Sequence, residues 1–139
     1  MTSVLIVEDD LSIADLLQTG LEAEGYRVCG IARTINEAKE SAQQDAPDFA
    51  IIDVHLANGD LGTEVAANLR CTTNAGIMFS TGNNGDIALM KTLGEAVMTK
   101  PYRMRDAARG LKIIGEIAQS GQTDLAFPRN FRLLDQVVK

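Results

Sequence analysis

Residues 3–25 read SVLIVEDDLSIADLLQTGLEAEG, and this stretch decides the fold class. SVLIV at 3–7 is an unbroken β-rich apolar run, which is typical of a strand covered on both faces. After the acids at 8–10, residues recur at the spacing of one helix face: Ile13, Leu16, Leu17, Gly20 and Leu21. Gly25 is placed to end that helix. The stretch predicts a buried strand followed directly by a helix.

The same order of strand and helix recurs along the rest of the chain. Further strands are predicted at 26–31, 49–52, 76–79 and 96–98. Further helices are predicted to open at the capping box Thr34–Glu37, to cover 63–70, to follow a cap at Asp86 and to run from 104 to a stop at 120–121. Five such units predict an α/β fold, with a doubly wound five-stranded parallel sheet and helices on both faces.

Composition limits the classes of function. The chain has 139 residues, 45% of them hydrophobic and 23% charged, which suits one globular domain. A net charge of −6 disfavours nucleic acid and anionic membrane surfaces as partners. No apolar run approaches the roughly 20 residues of a membrane span, and no basic leader is present, so we expect a cytoplasmic protein. Cys29, Cys71 and His55 are too few for a structural zinc site.

Polar residues follow four of the predicted strands, at the edge where parallel strands bind ligands. They are Glu8-Asp9-Asp10, Asp53, Ser80-Thr81-Gly82 and Thr99-Lys100-Pro101. Clustered carboxylates need a counter-charge, and Mg²⁺ prefers carboxylate and phosphoryl oxygens. Lys100 and Thr81 suit further phosphoryl oxygens, while the isolated Asp53 carboxylate can act as a nucleophile. The pattern predicts a site that accepts a phosphoryl group on Asp53.

Four motifs carry a resemblance to a known family: Leu5-Ile-Val-Glu-Asp9, Ile51-Ile-Asp-Val54, Phe79-Ser-Thr-Gly82 and Met98-Thr-Lys-Pro-Tyr102. In this order, over residues 1–121, the chain resembles the receiver domain of bacterial two-component response regulators. The resemblance implies a flavodoxin-like receiver fold of (βα)₅ type and a single-domain regulator that is not an enzyme, although it could catalyse its own phosphorylation and dephosphorylation.

The resemblance also implies the roles of particular residues. Asp53 would be the phosphoacceptor, with Thr81 and Lys100 on the phosphoryl group. Mg²⁺ would be held by a set of ligands that comprises Glu8, Asp9, Asp53 and the backbone carbonyl of His55. The phosphoryl donor would be a sensor histidine kinase or a histidine phosphotransfer protein, and output would occur through phosphorylation-dependent protein contact. The Lys100–Pro101 bond is expected to be cis.

Several residues have alternative interpretations. Asp10 suits a helix N-cap rather than a ligand. The family often has a switch aromatic three residues before the lysine, but here Val97 occupies that position, which puts an aromatic switch in doubt. The His55 side chain is interpreted either as a modulator of water access or dephosphorylation, or as plain surface, with Asn83 as its counterpart across the pocket.

Residues 122–139 extend beyond the receiver pattern. In this arm Phe127, Phe131, Leu134 and Val138 recur at helical spacing, and Pro128 suits a first helical turn, so the arm is predicted to be an amphipathic helix. An isolated helix this short is marginal in water, so it must pack on its own domain or on another chain. We expect a homodimer in which the arm crosses to the partner, with docking on its own domain as the alternative.

Three other functions remain open from the sequence. A pseudo-receiver scaffold that is never phosphorylated is compatible with Val97. A flavodoxin-like electron carrier would share the fold class, but its phosphate loop should follow the first strand rather than the fourth. A phosphatase of the aspartyl-phosphate type would place a second acid two residues after the nucleophile, where this chain has His55.

Overall fold

One six-stranded sheet organises the protein, for which a computed structural model describes residues 1–82 and 87–134. The strands lie in the order β2-β1-β3-β4-β5-β6. Their bounds are β1 Ser3–Val7, β2 Arg27–Ala32, β3 Phe49–Asp53, β4 Gly76–Thr81, β5 Ala96–Thr99 and β6 Phe131–Leu133. The first five strands pair in parallel, and β6 pairs antiparallel to β5. The doubly wound α/β fold is therefore confirmed.

The described residues contain five α-helices, which cover the two faces of the sheet. Their bounds are α1 Leu11–Ala23, α2 Ile35–Gln44, α3 Gly62–Thr72, α4 Ile87–Leu93 and α5 Met104–Ser120. Helices α1 and α5 pack on one face around buried side chains that include Leu17, Met78 and Leu111. Helices α2, α3 and α4 cover the other face, around Leu5, Ile52 and Phe79. None of the helices in this part of the chain has the length and apolar character needed to cross a bilayer.

Local sequence signals place the helix ends as expected. Asp10 caps α1, because its Oδ1 accepts from Ser12 N–H at 2.9 Å. The Thr34 hydroxyl caps α2, where it accepts from Glu37 N–H at 3.2 Å. Gly121 ends α5 with a φ of 84°, a left-handed conformation that glycine adopts readily. The predicted cap at Asp86 lies outside the described residues.

Two expectations about the C-terminal part of the chain are wrong. The sheet has six strands instead of five, and the arm is not a helix over its described residues, because Phe131–Leu133 forms β6. The helical spacing of Phe127 and Phe131 arises from a turn, in which Phe131 N–H donates to the Pro128 carbonyl at 3.2 Å. The turn brings the two rings edge to face, 5.2 Å apart. Val138 lies outside the described residues.

The arm becomes a strand because it docks on its own domain, at the edge of β5. Phe131 packs over Gly110 of α5, where an added Cβ would lie only 2.9 Å from the Phe131 ring. Leu134 is fully buried on the opposite face of the sheet, and its N–H donates to the Glu95 carbonyl at 3.0 Å. Burial of two apolar side chains and pairing with an edge strand favour this conformation over an isolated helix.

Candidate functional site

Three carboxylates meet where β1 and β3 end. Glu8 and Asp53 are buried and Asp9 is partly buried. One oxygen from each carboxylate lies within 4.8 Å of the others. The parallel register of β1 and β3 causes this arrangement, since Val7 pairs with Ile52 and the next residue of each strand end is an acid. The acids that the sequence singled out are therefore brought together.

Lys100 lies beside these acids, one residue after β5. Its Nζ donates to Glu8 Oε1 at 3.1 Å and to Asp53 Oδ2 at 3.3 Å. Its backbone N–H donates to the Thr81 carbonyl at 2.7 Å, which fixes the residue against the end of β4. The Lys100–Pro101 peptide bond is cis, as expected. One cation thus faces two carboxylates directly.

The cluster changes the proton affinity of its members. Burial, followed by hydrogen bonding and repulsion from Asp53, raises the pKa of Glu8 from 4.5 to about 7. Burial alone would lower the pKa of Lys100, but the attraction of Asp53 and Glu8 outweighs it and raises that pKa above its ordinary value. The acids are short of positive charge, because a single lysine does not compensate them fully.

Asp53 is held in place by its own loop. The backbone N–H of His55 donates to Asp53 Oδ1 at 3.1 Å, while the His55 side chain is exposed. Gly62, the first residue of α3, lies directly against the Asp53 carbonyl, since an added Cβ would be 2.0 Å from that oxygen. The Gly62 N–H donates to the Val54 carbonyl at 2.7 Å. The tight approach of α3 requires glycine at this position.

Thr81 and Val97 occupy the neighbouring strands. Thr81 is buried at the end of β4 and pairs with Thr99 of β5. Val97 is buried on the face covered by α4, in the same cluster as Phe79, Met90 and Leu134. The position of the family's switch aromatic is therefore filled by an aliphatic side chain in an apolar layer. Asn83 lies outside the described residues.

The donor set suits a divalent cation that prefers oxygen. Glu8, Asp9 and Asp53 offer carboxylate oxygens at a spacing that one ion can bridge, and the three carboxyl groups outnumber the one lysine that contacts them. Mg²⁺ typically binds one or two protein carboxylates and keeps several waters. The residues present therefore fit this ion.

Sequence reasoning assigned no role to three residues that shape this edge: Tyr102, Asp60 and Asn130. The Ser80 and Tyr102 hydroxyls hydrogen-bond at 2.9 Å and tie the end of β4 to the segment after Lys100. Asp60 Oδ2 accepts from Ile35 N–H at 2.9 Å, which joins the loop after Asp53 to α2. Asn130 of the arm donates from Nδ2 to the Pro101 carbonyl at 2.9 Å. Tyr102 already stood in a recognised motif, whereas nothing in the sequence marks Asp60 or Asn130.

Comparison with known families defines the class of protein. Residues 4–112 match the model of the response regulator receiver domain. The match covers most of the chain, so this protein belongs to the response regulator receiver family, whose domains generally signal rather than catalyse.

Among curated relatives, the transcriptional regulatory protein KdpE of Staphylococcus aureus is 27% identical over 138 residues, which are 96% of this chain and 59% of the relative. KdpE of Escherichia coli is 30% identical over 116 residues, 81% of this chain and 51% of the relative. The chain spans about half the length of these curated relatives.

Solved structures support the same family. A signal receiver domain of a modulated diguanylate cyclase from Desulfovibrio desulfuricans is 28% identical with a TM-score of 0.76, covering 88% of this chain and 99% of that one. A CheY-like receiver domain protein from Methanospirillum hungatei is 25% identical with a TM-score of 0.76, at 87% and 99% coverage. TrrA from Thermotoga maritima, solved in complex with Mg²⁺ and BeF, is 25% identical with a TM-score of 0.73, at 82% and 99% coverage.

Proposed function

We propose that this protein is a response regulator that accepts a phosphoryl group on Asp53 in a Mg²⁺-dependent reaction. The donor is a sensor histidine kinase or a histidine phosphotransfer protein. The phosphorylated form signals by contact with another protein, in the cytoplasm, without binding nucleic acid or membrane. The observation that carries the proposal is the contact of Lys100 Nζ with both Glu8 and Asp53 at the strand ends.

The transfer step follows from the chemistry of these groups. An Asp53 carboxylate oxygen attacks the phosphorus of a phosphohistidine, and a new P–O bond forms as the P–N bond breaks. The leaving imidazole keeps the electron pair of the broken bond and takes a proton from water. Lys100 moves its hydrogen bond from the Asp53 carboxylate to a phosphoryl oxygen, and the Thr81 hydroxyl donates to another. Positioning and charge compensation supply most of the catalysis in such transfers.

Glu8, Asp9 and Asp53, together with the backbone carbonyl of His55, would hold the Mg²⁺ ion. The ion supplies positive charge for the phosphoryl oxygens when bound. Glu8 and Asp9 orient the cluster from the end of β1, and burial of Glu8 keeps water from competing for its carboxylate. The family resemblance and the fit of the acidic cluster support this assignment.

The output step passes through Thr81 and the end of β4 in this proposal. Val97 cannot act as a swinging aromatic ring, so the signal depends on Thr81 and the backbone that follows it. A homodimer remains part of the proposal. Because β6 occupies the edge of β5 in its own chain, a dimer in which the arm crosses would exchange this same strand pairing between two copies.

Intact mass after incubation with acetyl phosphate and Mg²⁺ tests the proposal. We expect a gain of one phosphate that disappears in Asp53→Asn and when the metal is chelated. Asp45→Asn is the matched control, because Asp45 lies in a surface ion pair, and it should gain phosphate as the wild type does. Beryllofluoride binding, followed by NMR, separates a receiver that takes phosphate only from its kinase from a pseudo-receiver scaffold, since a scaffold should not bind it.

A further inference from the structure

The arm is hydrogen-bonded to the segment that carries Lys100. The Asn130 carbonyl accepts from Thr99 N–H at 3.0 Å, and Asn130 Nδ2 donates to the Pro101 carbonyl at 2.9 Å. These two bonds lie immediately before and after Lys100 in the chain. A residue outside the matched receiver segment, 4–112, therefore hydrogen-bonds to both chain neighbours of the lysine, Thr99 and Pro101.

The opposite side of the same segment faces the acids. Lys100 N–H donates to the Thr81 carbonyl, and its Nζ donates to Glu8 and Asp53. The segment 99–101 thus lies between the carboxylate cluster and the arm. Because Asn130 is hydrogen-bonded to Thr99 and to Pro101, a shift of Asn130 would displace the Lys100 backbone between them.

The conformation at position 130 favours asparagine. Its φ is 72°, in the left-handed region that asparagine tolerates better than most residues. Glycine could adopt this backbone and keep the carbonyl that accepts from Thr99, but it has no amide to donate to Pro101. Phe131, seated over Gly110, anchors the turn that presents Asn130. The turn therefore holds the Asn130 side-chain amide against the segment 99–101.

We propose that Asn130 is a positioning residue for Lys100, and that the C-terminal arm thereby contributes to the phosphorylation of Asp53. This inference rests on the proposed function. Lys100 Nζ must meet a phosphoryl oxygen at hydrogen-bond distance, and small misplacements of such a group slow transfer strongly. Loss of the Asn130 side-chain amide would make the segment 99–101 more mobile without moving the carboxylates of the site.

Asn130→Gly, compared with Asn74→Gly, is the direct test. Asn74 is exposed in the loop before β4, at the opposite end of the strands, so it is a matched control for the effect of asparagine-to-glycine on the unfolded chain. We expect the rate of Asp53 phosphorylation by acetyl phosphate to fall about two- to tenfold in Asn130→Gly, the equivalent of one lost hydrogen bond. The Asn74→Gly rate should equal that of the wild type.

Two further readouts separate positioning from a loss of structure. Mg²⁺ affinity should stay within about twofold of the wild type, because the hydrogen bonds that Asn130 makes are to Thr99 and Pro101 and not to a carboxylate. The ¹⁹F spectrum of the bound beryllofluoride complex should shift for the fluorine that Lys100 contacts, whereas partial unfolding would only weaken the signal. Asn130→Asp is the second variant if Asn130→Gly folds poorly, because its ionised carboxylate cannot donate to Pro101. It should also keep the Mg²⁺ affinity of the wild type and shift the ¹⁹F signal.

The outcomes distinguish the two proposals. An active wild type together with equally fast Asn130→Gly and Asn130→Asp would overturn the positioning role alone. A rate that falls together with Mg²⁺ affinity, with an unchanged ¹⁹F pattern, would also overturn it, because that combination reports general damage. A wild type that takes no phosphate and binds no beryllofluoride would overturn the proposed function and the positioning role with it.

Discussion

Oppositely charged side chains meet in two different settings in this protein. At the strand ends, Lys100, Glu8 and Asp53 retain only 24%, 3% and 12% of their side-chain exposure, with contacts of 3.1 and 3.3 Å. On the outer surface, Arg27 pairs with Asp45 at 2.7 Å and Arg70 with Glu95 at 2.6 Å, at exposures of 36–46%. The surface pairs are shorter, yet water screens them, so distance alone does not rank these interactions.

The two settings also differ in charge balance. Each surface pair joins one cation to one acid, whereas at the strand ends one lysine directly faces two buried carboxylates and a third lies nearby. Burial makes the imbalance costly, and it appears as the raised pKa of Glu8. In the buried cluster the carboxyl groups therefore outnumber the cation, whereas each surface pair is balanced.

The largest expected effect comes from the lysine. Lys100→Met should slow phosphorylation of Asp53 by acetyl phosphate about 100-fold, because loss of one preorganised donor to a developing charge has a cost of this order. Arg27→Met is the matched control, since it removes a cation from a surface pair, and its rate should be unchanged. Single-turnover rates measured by intact mass would decide it. Equal rates in Lys100→Met and Arg27→Met would contradict a special role of the buried lysine in phosphorylation.

A smaller effect is expected from pH. With a Glu8 pKa of about 7, a proton must leave this carboxyl before it can bind a metal, so Mg²⁺ affinity should rise by up to about tenfold per pH unit below pH 7 and level off above it. Titration calorimetry across this range measures the slope. Glu8→Gln should bind more weakly with a flatter pH dependence, and an affinity that does not vary with pH in the wild type would contradict the raised pKa.

The same pKa has an opposite consequence for the metal-free protein. Because the folded pKa, about 7, lies above the ordinary 4.5, the folded state holds the proton more tightly than the unfolded chain. The contribution of Glu8 to stability is therefore present at low pH and is lost as the pH rises from about 4.5 to 7. Urea denaturation with and without Mg²⁺ should show that the metal restores stability most at high pH.

The smallest effect is expected at the surface. Arg70→Met should lower the free energy of unfolding by less than about 1 kcal/mol, and the difference should shrink in high salt. The arginine is the correct partner to replace, because Glu95 Oε1 also accepts from Ile77 N–H at 2.7 Å. Urea denaturation at two salt concentrations is the measurement. A loss as large as that of a buried group would show that exposure does not separate the two settings.

The site could be predicted from sequence to the extent that it follows strand ends. Asp53 stands directly after an apolar run and Lys100 stands one residue beyond a second apolar run, and a parallel sheet brings such residues to one edge whatever the details of packing. The contact distances, and with them the pKa of Glu8, depend on register and burial that no residue pattern specifies.

The arm could not be predicted for a related reason. The spacing of Phe127 and Phe131 suits a helix turn and also a tight turn before a strand. The edge of β5 and the space over Gly110 favour the strand over the helix, and both are properties of the folded sheet. Asn130 contacts Thr99 and Pro101 because the arm docks beside β5, so the sequence alone does not indicate its proposed role.

The sixth strand has a consequence for solubility. Without it β5 would be a four-residue apolar edge, and an uncovered edge of this kind is a template for aggregation with other chains. β6 covers that edge and presents Arg132, an exposed charged residue, on the new outermost strand. A charged, three-residue edge strand is a poor template for further pairing, so the same segment that holds Lys100 also shields the sheet from its neighbours in a crowded solution.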